Sequence, residues 1–211
     1  YKQKVVLGVA PTKRSFLSME EAKRQKDKFM ARIRAIKPEA VEIIDVDELC
    51  ENGIMWDTAK IPAVVEKFRR VGIDALFLPF CDFGEEQVVA QIAGAFKVPT
   101  LVWGARDERP NSDEVRGRDT QCGMFAATKV LRRYGVKYSY IWNCETESDD
   151  FAKGYENFIR VAAVLKALKN LRVAKIGERP VPFMSVMTNE ANLINRIGIT
   201  TVPISPFAVA E

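Results

Sequence analysis

The chain has 211 residues, with 32 Lys and Arg against 28 Asp and Glu, 47% hydrophobic residues and no histidine. That composition can bury a core and lies far from disordered chains, while a net charge of +4, spread along the sequence, argues against a nucleic-acid partner. Lacking imidazole, the chain by itself supplies no Ser-His-Asp triad, no Cys-His dyad and no mixed His-carboxylate metal site.

Short apolar runs alternate with stretches of helical period. A first strand is expected at Lys4–Val9. Ser18-Met19-Glu20-Glu21 then reads as a capping box, in which the Ser hydroxyl and the Glu carboxylate satisfy opposite amides of a helix start. Ala22, Phe29, Ile33 and Ile36 form one apolar face of that helix. A second strand is expected at Val41–Val46. Asp57 or Thr58 opens a helix through Val64, Val65 and Phe68 that stops at Gly72, where a residue without Cβ can turn left-handed. Strands at Ala75–Pro79 and Thr100–Trp103 flank a helix from Glu85 to Phe96. A helix from Thr120 to Arg133, a strand at Tyr138–Trp142 and a long helix from Asp149 to Lys169 follow. Arg172–Ile176 and Thr200–Ile204, with a helix from Asn189 to Arg196 between them, complete the series.

Most of the strand candidates are apolar throughout, as in strands covered on both faces, and they recur at the spacing of βα units. The expected fold class is α/β: a doubly wound, Rossmann-like parallel sheet with helices on both faces. A boundary near Asn170-Leu171 divides residues 1–170, a first α/β domain, from residues 171–211. The latter stretch is too short for a core of its own and starts a second α/β domain or extends the first sheet. Because it opens on Tyr1 rather than Met, the chain is expected to be part of something longer. No apolar run approaches the roughly 20 residues that span a bilayer and no signal-type leader is present, so a cytoplasmic protein without membrane contact is expected. Cys50, Cys81, Cys122 and Cys144 form no CxxC pair, which favours reduced thiols over a zinc or iron-sulfur framework.

In an open parallel sheet, ligands bind beyond the C-terminal ends of the strands. Neither GxGxxG nor GxxxxGK[ST] occurs, so no dinucleotide or P-loop site is indicated there. The first loop carries Lys13 and Arg14, which can hold a carboxylate, a phosphate or sugar hydroxyls through the guanidinium fork, or can face water in a solvated turn. The loop after the third strand reads Phe80-Cys81-Asp82-Phe83-Gly84-Glu85. Phe80 and Phe83 can form an apolar wall for the C–H face of a sugar while Asp82 accepts hydroxyl protons. They can equally be two core aromatics and a helix cap. Cys122, early in the helix from Thr120, can have a lowered pKa at the helix N-terminus or be a packing residue. Residues 106–118, with Pro110-Asn111-Ser112, form a long polar connection of the kind that serves as a lid, a subunit contact or a surface excursion.

Five pieces together resemble the N-terminal region of the L-fucose isomerase / L-arabinose isomerase superfamily. They are Val5-Val6-Leu7-Gly8-Val9-Ala10-Pro11, the turn from Leu78 to Glu85, Val98-Pro99-Thr100-Leu101-Val102-Trp103-Gly104, Asp119-Thr120-Gln121-Cys122-Gly123 and Ile176-Gly177-Glu178-Arg179-Pro180. The resemblance implies the N-terminal part of a metal-dependent aldose-ketose isomerase that works through an enediol with a divalent cation, usually manganese (Mn2+). It also implies a homo-oligomer, a pentose or deoxyhexose substrate, and metal ligands supplied by later domains. No catalytic or metal-binding residue of this chain follows from it. Arg14 matches a substrate-facing arginine of the fucose enzymes, and Cys81, flanked by Phe80, Asp82 and Phe83, stands where those enzymes present an aromatic to the sugar. That departure puts L-fucose itself in doubt. The competing readings are a stand-alone sugar-binding α/β module without catalysis and a thiol enzyme using Cys81 or Cys122.

Overall fold

The computed structural model describes residues 4–110, 117–169 and 171–209; Asn111-Ser112 of the long polar connection and the boundary residue Asn170 lie outside them. The chain divides into two compact units, Tyr1–Ala162 and Ala163–Glu211.

The first unit alternates strand and helix: β1 (Val5–Val9), α1 (Met19–Ala35), β2 (Val41–Ile44), α2 (Ile61–Val71), β3 (Ala75–Phe80), α3 (Glu86–Gly94), β4 (Thr100–Gly104), α4 (Thr120–Arg133), β5 (Ser139–Tyr140) and α5, which runs from Asp149 to Leu168. Its five strands form one parallel sheet in the order β2-β1-β3-β4-β5. The chain leaves β1 toward one edge, returns, and proceeds from β3 toward the other, so the order reverses between β1 and β3.

Side-chain alternation along the strands sorts the core into two layers. On one face Trp103 of β4 meets Phe151 of α5, with ring centroids 4.3 Å apart, and Phe29 of α1, edge-on at 6.1 Å; Phe77 of β3 lies 6.1 Å from Tyr155 of α5. The opposite face is mainly aliphatic, with Phe68 and Phe80 among its members. There Leu76, Leu78 and Val102 pack with Val64, Val65 and Phe68 of α2, Val88, Val89 and Ile92 of α3, and Ala127 and Leu131 of α4. Helices on both faces match the doubly wound expectation. β3 and β4 are buried over their whole length, whereas both residues of the edge strand β5 are exposed.

Helix ends follow local chemistry with two departures. Ser18 accepts from the Glu21 amide at 3.2 Å, but the Glu21 carboxylate turns to Arg24 and Gln25, both at 2.7 Å, so the capping box is half formed. Asp57, rather than Thr58, caps a short 3-10 turn through the Ala59 amide, and α2 follows it, ending at Gly72 with φ 73°. At the start of α4 the cap comes from a distance: Asp107 Oδ1 accepts from both the amide (3.0 Å) and the hydroxyl (2.8 Å) of Thr120.

In the second unit, β6 (Arg172–Ile176) and β7 (Thr200–Ile204) pair in parallel as a separate two-stranded sheet. Between them runs α6 (Glu190–Ile197), capped by the Asn189 side chain on the Asn192 amide and closed by Gly198 at φ 74°. No described helix is long and apolar enough to cross a membrane.

The first turn of α4 reaches the loop after β3 at Gly123, where an added Cβ would lie 1.7 Å from the Phe83 carbonyl oxygen. Neither backbone has a flexible end to yield. Gly123→Ala is therefore expected to lower the unfolding free energy by about 1–3 kcal/mol, the range for overpacking a close contact. Urea denaturation checks this, and an unchanged midpoint would show that the two segments do not meet.

Candidate functional site

The crossover between β1 and β3 sets two loops side by side at the C-terminal edge of the sheet. Thr12 continues the β1 ladder beyond the strand: its amide donates to Pro79 O and the Cys81 amide donates to Thr12 O, both at 2.9 Å. Its hydroxyl accepts from the Glu85 amide at 3.0 Å. Arg14 is thereby carried over the loop that follows β3.

The Arg14 guanidinium lies 4.6 Å from the centroid of the Phe83 ring and is paired with Glu85 at 2.9 Å and Glu86 at 3.4 Å. Beside it opens a concavity of about 380 Å3, lined by Arg14, Phe16, Leu17, Phe83, Arg118 and Asp119. Arg118 is buried, with Nε donating to Glu108 and Nη2 donating to Arg106 O, both at 2.6 Å. Each guanidinium of this wall is thus already paired with a carboxylate. What remains is two aromatic rings, Phe16 and Phe83, and planar donors, a surface suited to a polyhydroxylated ligand with a C–H face.

The other sequence candidates occupy different places. Phe80 and Cys81 are enclosed. The Phe80 ring fills the space beside Gly84, where a Cβ would approach within 2.5 Å of it. β3 extends one residue further than expected, and strand alternation sends Phe80 into the aliphatic layer. The wall expected from Phe80 and Phe83 together is therefore corrected: Phe83 lines the concavity with Phe16, while Phe80 is buried in the core cluster. Asp82 is 2% exposed, and its Oδ1 accepts from the amides of Arg14 (2.7 Å) and Gly84 (2.9 Å), so it braces the loops. Burial pushes the Asp82 carboxyl above its ordinary value, against the lowering effect of those two amides and of Lys13 and Arg14. Its Oδ2 is buried without a hydrogen-bond partner, and a proton placed there leaves Oδ1 able to accept both amides.

Leu17 carried no sequence signal for this site; Phe16, Arg118 and Asp119 fall in a candidate loop, the long polar connection and a helix start, with no role of their own assigned. Arg118 and Asp119 reach it because Asp107 caps α4 from thirteen residues away and because Asp119 adopts a left-handed backbone, φ 54°. A polar connection read without its cap gives no hint of that turn. Of the thiols, Cys122 is exposed in the first turn of α4, whereas Cys50, Cys81 and Cys144 are buried. Burial raises the Cys50 thiol to about 11 and pushes Cys81 well above its ordinary value, which leaves Cys81 unsuited to nucleophilic work. The described residues contain no group of three or more His, Cys, Asp or Glu that could hold a metal ion.

Two measurements follow from this geometry. In the native chain Cys122 is expected to react with Ellman's reagent promptly and the three buried thiols only on unfolding; rapid reaction of two or more would contradict the burial of at least one of the three. A carboxyl whose folded pKa is raised binds its proton more tightly folded than unfolded, so its stabilisation is present below the unfolded value, about 3.9, and declines as pH rises through the folded value. The stability of the wild type relative to Asp82→Asn is therefore expected to decline with rising pH across that window, as read by denaturant titration. A difference that rises with pH instead would mean that the two amides outweigh burial.

A family model described as the N-terminal domain of fucose/sulfoquinovose isomerase matches residues 8–169. The sulfoquinovose isomerases of Priestia aryabhattai and Priestia megaterium are each 23% identical over 155 residues, covering 72% of this chain and 33% of their own. The chain thus spans about a third of the length of these curated relatives. Among solved structures, an azoreductase from Bacillus anthracis is 13% identical with a TM-score of 0.34, covering 76% of this chain and 99% of that one. The match across residues 8–169, most of the first unit and the β1–β3 crossover with it, places this chain in the fucose/sulfoquinovose isomerase family, as bearer of its N-terminal domain.

Proposed function

We propose that this chain is the N-terminal part of a metal-dependent aldose-ketose isomerase acting through an enediol, and that the concavity beside Arg14 and Phe83 is its substrate-side wall. The observation that carries the reading is the Arg14 guanidinium, braced by Glu85 and stacked on Phe83, at the switch point of a chain from a sugar isomerase family. Arg14 would donate to sugar hydroxyls and Phe83 would cover a C–H face. Asp82 would hold the loop, with Phe80 and Cys81 packed behind it. Since both guanidiniums are paired with carboxylates, this wall favours the neutral face of a pentose or deoxyhexose.

The residues present do not fit a manganese site: the described part holds no ligand cluster and the sequence no histidine. We therefore place the metal, and the proton transfers of the enediol step, in the remainder of the whole protein, and derive no step through it here. The working form would be a cytoplasmic homo-oligomer.

The test uses the whole protein that contains this chain, stripped of metal with EDTA and reloaded with manganese. The panel holds pentoses, deoxyhexoses and, because the Priestia relatives are named sulfoquinovose isomerases, sulfoquinovose. Manganese-dependent aldose-ketose interconversion is expected, with kcat/KM lowered about 10- to 100-fold by Arg14→Ala, the cost of a lost charge-assisted contact. No interconversion of any sugar would end the isomerase reading. The 211-residue chain alone is expected to give no turnover; millimolar or tighter sugar binding by it without metal would favour the stand-alone binding module.

A further inference from the structure

Arg14 sits on a loop, yet its backbone is held at both ends by buried side chains, an ammonium and a carboxyl. Lys13 is 2% exposed, an unusual place for an ammonium. Its stem is buried beside Trp56, with Nζ 5.9 Å from the ring centroid. The ammonium curls back on its own loop, donating to Arg14 O at 2.7 Å and to Ser15 O at 3.2 Å. From the other side Asp82, equally buried, accepts from the Arg14 amide at 2.7 Å. Further anchors fix the residues that make the bracket: the Lys13 amide donates to Met55 O at 3.1 Å, and the Gly84 amide donates to the same Asp82 oxygen at 2.9 Å.

A solvated turn needs none of this. Burying an ammonium and a carboxyl costs several kcal/mol unless both are well bonded, and the shorter bond of each meets at Arg14. From that convergence we infer that Lys13 and Asp82 are positioning residues which bracket the Arg14 backbone, so that the guanidinium stands in its ligand-facing place before a sugar arrives. Holding the loop in advance removes ordering entropy that binding would otherwise have to supply. The inference rests on the proposed role of Arg14, but the bracket itself can be measured independently of any sugar.

The first arm is hydrogen exchange by NMR on the unaltered 211-residue chain. The Arg14 amide is expected to exchange at least about 100-fold more slowly than an unbonded loop amide, since opening it requires the loop to leave Asp82. Exchange at the rate of an unstructured amide overturns the bracket without any variant. The second arm compares Lys13→Met and Asp82→Ala, which removes the acceptor shared by the Arg14 and Gly84 amides, with the double variant. Each single change is expected to speed Arg14 exchange about tenfold or more while the β1 amides keep their protection, and the double variant to add less than the sum, because both act on one peptide segment. Additive effects, or equal loss of protection along β1, overturn it.

The third arm is sugar turnover by the whole protein. Lys13→Met is expected to raise KM about tenfold with kcat within about twofold, the signature of lost binding pre-organisation. A merely structural role would lower the active fraction, and so apparent kcat, with KM unchanged. If the Arg14 amide is protected but Arg14→Ala leaves turnover untouched, the bracket stands and the substrate role of Arg14 falls.

Discussion

Parallel pairing between β1 and β3 does not stop where the strands do, and the rest of the molecule's functional edge depends on that continuation. Thr12 bonds through its backbone on either side of Phe80, to Pro79 O and from the Cys81 amide, while pairing also with Met55 across the β2 side. One residue thus ties together the segments after β1, β2 and β3. In a doubly wound sheet the helices on either side of the switch point leave toward opposite faces, which opens a crevice there. Thr12 keeps the floor of that crevice from fraying, so side chains projecting from it have fixed origins.

Polar groups are buried on this floor in a way the apolar layers beneath do not tolerate. Lys13 and Asp82 are enclosed, and Thr12 and Thr120 with them. Lys13, Asp82 and Thr12 each bond to backbone groups of a loop, so the turns at the sheet edge are stabilised by side chains doing what strand partners do lower down. The arrangement exchanges some stability for geometry. Hydrophobic residues of equal volume would cost less to bury, but they could not fix where a peptide group points.

Much of the scaffold was readable because periodicity is a strong local signal. β6, β7 and α4 have the expected limits, and most other elements agree within one or two residues. The edge strand is the larger departure: Tyr138–Trp142 looked like a strand of five, but only Ser139 and Tyr140 pair, since an edge has one neighbour and nothing to extend the ladder. In the candidate site, loop position pointed to Lys13 and Arg14 as a pair and to Phe80 with Phe83, and only the family resemblance preferred Arg14. What no local pattern could separate was Phe80 from Phe83. They are three residues apart and of the same type, and their fates are decided by whether β3 ends at Pro79 or one residue later. Arg118 and Asp119 were beyond reach for a related reason, as their placement follows from a carboxylate cap contributed by a distant part of the same connection.

The division of the core into an aromatic layer and an aliphatic one bears on how such a chain can change over generations. Aliphatic positions under α2, α3 and α4 can exchange Val, Ile and Leu with small adjustments, because branched chains of similar volume repack at little cost. The layer of Phe29, Phe77, Trp103, Phe151 and Tyr155 has flat rings in defined relative orientations, and no smaller side chain fills a ring's place. Sequence drift should therefore run ahead on the α2–α4 side, with α1 and α5 held back as a slowly changing keel. The crevice at the sheet edge can then acquire new loop residues without the sheet beneath it losing its register.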